Sequence, residues 1–243
     1  MLVARVGEVD RDMSEVDARS LGKVADGPVS RYLNRRFSQL ITLHLLADTG
    51  LTPNQVTLIV FIISLQSIPA YLLGLYWLGG LIAQLGSMLD GCDGELARLK
   101  GMTSELGAFY DTVLDRYADV LVLIAATYRL ALDLGAQLAA YTWIVGVLAI
   151  MGGVMTSYSS IFVKEALSGG DVEWPILLSD GRDVRTMLIA VGSVLAHYSP
   201  LLLLVCIAWI ALVTNLKVAY RLAVAHRIFP STGHAHGFER AAQ

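Results

Sequence analysis

Acidic residues crowd two short stretches of an otherwise apolar chain: Asp90-Gly91-Cys92-Asp93-Gly94-Glu95-Leu96-Ala97-Arg98, and the segment from Gly107 that carries Asp111 and Asp115. On an α-helix Asp90, Asp93 and Ala97 fall within about 60° of one another, and Asp111 and Asp115 about 40° apart. Each stretch therefore presents its carboxylates as one stripe. Gly94, Ala97 and Gly107 lie on the same strips and leave room for a ligand or a facing backbone. Like charges at this density are driven toward protonation unless cations neutralise them, and oxygen-only ligation selects magnesium, manganese or calcium over zinc. The pattern predicts a divalent-metal site.

The spacing Asp90-x2-Asp93-Gly94-x2-Ala97-Arg98-x8-Gly107-x3-Asp111-x3-Asp115 resembles the signature of the CDP-alcohol phosphotransferase (phosphatidyltransferase) family of integral membrane enzymes. The resemblance implies that Asp90, Asp93 and Asp111 hold Mg2+ or Mn2+ together with Asp115, and that Asp115 is also the base that deprotonates the acceptor hydroxyl. It further implies that Gly94, Ala97, Arg98 and Gly107 accommodate the cytidine diphosphate of a CDP-alcohol donor.

The elements that carry these stripes must be membrane helices. Of 243 residues 55% are hydrophobic and 16% charged, against about 25% charged in soluble domains, and the mean hydropathy is +0.59. Windows long enough to cross a bilayer, about 20 residues each, lie near 55–74, 76–98, 106–130, 136–163, 184–198 and 200–220. The expected fold is an all-α integral membrane protein with six transmembrane helices, preceded by a cytoplasmic interfacial amphipathic helix. Six spans put both termini on one side. Of 18 Lys and Arg, all but Arg129 fall on the side of the termini and the motif loop, which the positive-inside rule assigns to the cytoplasm. Insertion is expected to rely on the first span, since the first 25 residues are polar and no cleavable leader is evident.

Four regions are expected: a polar segment 1–25, an interfacial helix 26–48, the six-helix domain 52–225, and a cytoplasmic tail 226–243. In the second region Val29, Leu33, Phe37, Leu40, Ile41 and Leu45 repeat at helical spacing beside Arg31, Arg35 and Arg36, as suits a helix with its arginines near lipid phosphates. The alternative is a soluble amphipathic helix packed on a partner. Thr52-Pro53-Asn54 reads as a helix start, with Thr52 as cap and Pro53 in the first turn, and this tripeptide also resembles the family. Gly101, Thr103 and Ser104 mark the turn that folds the two acidic stripes together. Asp119 extends the second stripe by one turn and reads either as a further site residue or as a structural ion pair with a nearby arginine. Gly146, Gly152, Gly153, Ser157, Ser159 and Ser160 read as close-packing positions. Cys92 and Cys206 offer no disulfide framework, and none of the five histidines has companion ligands at metal spacing.

Arg182 and Arg185 share a helix face at the start of the fifth window and, with Lys164, form a candidate clamp for a phosphate on the acceptor; the alternative is simple positive-inside anchoring. The family's Ser-Tyr followed by arginines is only partly kept, as Ser157-Tyr158 with Lys164 alone beyond. The segment from Asp26 through Leu51-Thr52-Pro53-Asn54 resembles the membrane half of fusions between inositol-phosphate cytidylyltransferase and di-inositol-phosphate phosphate synthase. CDP-inositol and inositol phosphate are therefore the expected donor and acceptor, and this chain, without a cytidylyltransferase-like part, is expected to be the synthase alone or an excised domain. A phospholipid synthase using CDP-diacylglycerol or an ether-lipid analogue, with inositol phosphate or glycerol phosphate, is the alternative within the family. A divalent-cation transporter is the alternative from another class, though the acids lack a matching set on the outer side. A homodimer in the bilayer is expected, and nucleic acid is not an expected partner.

Overall fold

The computed structural model describes residues 34–166 and 181–228, with side chains as far as Val163 in the first stretch and His226 in the second. Within them every regular element is helical. α1 (Arg35–Ile41) runs into a π-helical turn (Thr42–Leu46) and is followed by α2 (Pro53–Leu65), α3 (Ser67–Leu72), α4 (Tyr76–Leu89) and α5 (Gly91–Leu99). Then come α6 (Glu105–Asp133), α7 (Ala136–Ala166), α8 (Arg182–Leu195) and α9 (Pro200–Ile228). Residues 1–33, 167–180 and 229–243 and the Lys164 side chain lie outside the described part. The expected segment 1–25, the start of the interfacial helix, nearly all of the tail and the Lys164 contribution therefore have no structural counterpart here.

Local chemistry sets the element ends. Thr52 and Gln55 form a reciprocal capping box, Gln55 N–H donating to Thr52 Oγ1 at 3.4 Å and Thr52 N–H donating to Gln55 Oε1 at 2.9 Å, which satisfies amides a helix start leaves unpaired. Pro69 has no N–H to give the carbonyl of Leu65, and the first window breaks there into α2 and α3. The second window is divided at Asp90, which ends α4 and opens α5. Gly101 takes the left-handed conformation (φ 63°) that turns the chain after α5, and Ser104 caps α6 by accepting the Gly107 N–H at 3.0 Å.

Two packed regions hold the helices. The larger collects Tyr71, Leu130, Leu203, Ile207 and Ile210, all buried, and the Tyr71 hydroxyl pairs with that of Ser193 at 2.8 Å. The smaller joins Val56, Cys92 and Leu96 to Ile41, Leu46 and Leu51, seating α1 and its π turn on α2 and α5. Close approaches use the small residues: a Cβ on Gly146 would run into Thr127, and one on Gly152 into Thr214 and Asn215. Leu58, Ile62, Trp77, Ile144, Leu148 and Val205 stand exposed around the bundle, more apolar surface than a water-soluble monomer shows.

Three helical segments, Pro53–Leu72, Ala136–Val163 and Pro200–His226, are long and apolar enough to cross a membrane by themselves. The other three windows fall on α4 with α5, on α6 and on α8. Those helices are interrupted at Asp90, charged along the α6 face, or only 14 residues long in α8.

Candidate active site

The acids meet at one end of the bundle. α5 and α6, joined by the turn at Gly101, both pack on α2, and carboxylate oxygens of Asp90, Asp111 and Asp115 come within 4.8 Å of one another. Asp93 lies outside that trio but lines the same cavity, of about 280 Å3 counting space open to solvent. Its buried carboxylate accepts the Thr57 hydroxyl and the Gly94 N–H, each at 2.5 Å. Thr57 thereby fixes Asp93 from α2, with the Pro53 carbonyl 3.1 Å from the same hydroxyl oxygen.

The small residues predicted around the acids do not line that cavity. A side chain on Gly94 would enter the reach of the Arg98 guanidinium, at 3.4 Å, and one on Gly107 would press on Asn54 Oδ1 and Ser104 Oγ, each at 3.1 Å. Gly94, Ala97 and Arg98 are half-buried on α5.

Arginines surround the trio. The Arg182 guanidinium lies 2.5 Å from Asp90, 2.9 Å from Asp115 and 3.0 Å from Asp119, so it sits on the carboxylates themselves. Asp119 also pairs with Arg116 at 3.4 Å and lies 3.9 Å from Arg185, and Arg116 donates to the Ser157 hydroxyl at 2.7 Å. Of the two sequence readings of Asp119, the ion pair is the one seen, with three arginines rather than one. Arg182 and Arg185 also line a second cavity of about 430 Å3, with Asp119, Val122, Thr186 and Ile189, which meets the first at Ser64, Ala118 and Arg182.

Sequence reasoning passed over Thr57 and Glu95. Thr57 follows the Thr52 cap by five residues and carries no periodic signal. Glu95 did carry one: it stands about 200° around the helix from Asp93, so its carboxylate needs a partner on the face away from the site.

The model of the CDP-alcohol phosphatidyltransferase family matches residues 50–217. The chain belongs to that family. Its curated relatives include the bifunctional IPC transferase and DIPP synthase of Thermococcus kodakarensis, 38% identical over 81% of this chain and 44% of that protein. The archaetidylinositol phosphate synthase of Pyrococcus horikoshii is 37% identical over 51% of this chain and 61% of its own length. The chain thus spans less than half of the bifunctional relative. Among solved structures, the phosphatidylinositol phosphate synthase of Mycobacterium tuberculosis with CDP-DAG bound has the same fold, with a TM-score of 0.66 at 22% identity over 82% of this chain and 96% of that one. The same enzyme has been solved with manganese and citrate, TM-score 0.65 at 22% identity over 81% and 90%. This family member is accordingly an integral membrane protein, and Asp90, Asp111 and Asp115 form a candidate metal site.

Proposed function

We propose that this chain transfers a substituted phosphate from a CDP-alcohol to the hydroxyl of a phosphorylated polyol, releasing CMP, with CDP-inositol as donor and inositol phosphate as acceptor. The convergence of Asp90, Asp111 and Asp115 at one mouth carries the reading, and its substrates follow the bifunctional relative, whose match covers most of this chain.

The donor set fits Mg2+ or Mn2+, since hard carboxylate oxygens are the ligands these ions take. Asp90, Asp111 and Asp115 would hold the ion, with Asp93 kept at the cavity wall by Thr57. Bound there, the ion supplies Lewis-acid stabilisation of the charge on the diphosphate. Gly94, Ala97 and Gly107 leave space for the cytidine diphosphate backbone, and Arg98 lies beside that space. The acceptor oxygen attacks the phosphorus that bears the alcohol, the bond from that phosphorus to the bridging oxygen breaks, and CMP leaves. Asp115 takes the hydroxyl proton. Arg182, which touches both Asp115 and the second cavity, and Arg185 within that cavity, orient the acceptor phosphate, with Lys164 as a third cation.

Six spans with the acids, both termini and α1 at the cytoplasmic face complete the proposal, supported by the distribution of Lys and Arg and by the six helical windows. A homodimer within the bilayer belongs to the same reading. A second reading takes the donor as a CDP-linked lipid and is favoured by the archaetidylinositol phosphate synthase relative. Incubating the purified protein with CDP-inositol or CDP-diacylglycerol, each with inositol phosphate or glycerol phosphate, and identifying the phosphodiester by mass spectrometry separates the two. A di-inositol product supports the first reading, a phospholipid product the second, and absence of CMP in all four mixtures overturns both. Divalent-ion flux through vesicles without CMP release would instead make the protein a transporter.

A further inference from the structure

Glu95 is the most deeply buried carboxylate among the described residues, 0% exposed, and it takes no part in the acid trio. Its oxygens are held from a single direction. The Ser38 hydroxyl donates to Oε1 at 2.8 Å, the Arg35 guanidinium donates to Oε1 at 3.2 Å, and the Thr42 hydroxyl donates to Oε2 at 3.0 Å. Arg35, Ser38 and Thr42 stand at helical spacing on one face of α1 and its π turn, ahead of the stretch 50–217 that the family model covers.

The same strap is tied at both ends to the helix pair that carries the site. Before Glu95, the Asn34 side chain donates to the Ser87 carbonyl and hydroxyl, each at 3.3 Å. After it, the Lys100 ammonium donates to the carbonyls of Thr49 at 2.6 Å and Leu51 at 3.0 Å. Between these ties Gly91 admits Ser38 so closely that a Cβ there would stand 3.1 Å from its hydroxyl. Asp93 and Glu95 face opposite sides of α5, so rotating this helix moves both carboxylates together. Whatever fixes Glu95 also fixes the angle at which Asp90 and Asp93 face α6.

We propose that Glu95 is a positioning residue for the metal site, clamping α5 to the α1 strap so that Asp90 and Asp93 are presented to Asp111 and Asp115. Removing the hydroxyl donors then loosens the acids without touching them. This inference rests on the metal reading above, and its test separates the two. The full chain in lipid nanodiscs is titrated with Mn2+ by calorimetry, and CMP release is followed with whichever donor supports turnover. In the double variant Ser38→Ala, Thr42→Val we expect Mn2+ affinity to fall about tenfold, the range seen when partners that orient metal ligands are lost. kcat falls with it while KM for the donor stays near the wild-type value, and Ser38→Ala with Thr42→Ser restores both. A purely structural tie would lower the melting temperature and leave the folded protein's Mn2+ affinity and kcat intact. That result overturns the proposal. Glu95→Gln is expected to behave like the double variant; should it fail to fold, the double variant decides alone. Absence of Mn2+ binding by the wild-type protein would instead refute the metal reading, and kcat of the double variant then judges whether Glu95 positions the acids themselves, an unchanged value overturning that role and a lowered one sustaining it.

Discussion

Asp115 and Arg182 meet at 2.9 Å where the acid face of the site joins its basic face, and two predictions turn on them. Replacing Asp115 with Asn keeps the shape but removes the proton acceptor, so CMP release should fall by about 100-fold to 10,000-fold, the range for a lost general base, in protein that still folds. An Asn variant that keeps wild-type turnover moves the base to another residue. Arg182 compensates Asp90, Asp115 and Asp119 together, and one guanidinium among three carboxylates competes with any divalent ion for the same oxygens. The variant Arg182→Gln is therefore expected to melt lower than wild type in EDTA and to gain more from added Mn2+ than wild type does. Equal Mn2+-induced shifts in thermal melting would show that Arg182 and the ion do not compete. The shared face of Asp111 and Asp115 was legible from spacing alone, because helical periodicity fixes which residues share a face. The position of Arg182 was legible only as a face of α8, since nothing local says what lies across from a helix 63 residues further along than Asp119.

At the scale of elements, the small residues of α7 do the positioning. Gly146 seats α7 against α6 at Thr127, and Gly152 seats it against α9 at Thr214 and Asn215. Gly152→Leu would force those backbones apart, and a cost of about 1–3 kcal/mol is expected from overpacking, read as a lowered melting temperature in detergent. A variant as stable as wild type would mean that α9 shifts without strain. The sequence showed these positions as small but not whom they touch, because a glycine names no partner. It showed the capped start at Thr52 fully, since a capping box is completed within four residues. The strap was legible as an amphipathic helix, and Phe37, Leu40 and Leu45 stand exposed on it. Its inward face, which binds Glu95, was hidden because serine and threonine at helical spacing read as ordinary polar surface.

For the whole molecule, hydropathy and function pull in opposite directions. The three segments that qualify as spans by themselves carry none of the acid trio. The helices that hold the acids are polar because they hold them, and α8, at 14 residues, covers about 21 Å of a hydrocarbon layer about 30 Å thick. Topology is therefore better tested by access than by composition. In a background without Cys92 and Cys206, a membrane-impermeant maleimide should label Thr103→Cys only from the cytoplasmic side and Gln137→Cys only from the other, because the α5–α6 and α6–α7 turns lie at opposite ends of α6. Labelling of both from one side would exclude the six-span arrangement. The bridge from Arg182 to the acids also bears on how the protein is made. Asp90 through Asp119 are all made before Arg182, which follows Asp119 by 63 residues, roughly 3–13 s at 5–20 residues per second. During that interval the cluster enters the membrane without the guanidinium that later balances it, so its passage through the insertion machinery should respond to the divalent ions of the cell at an age when the finished protein has not yet formed.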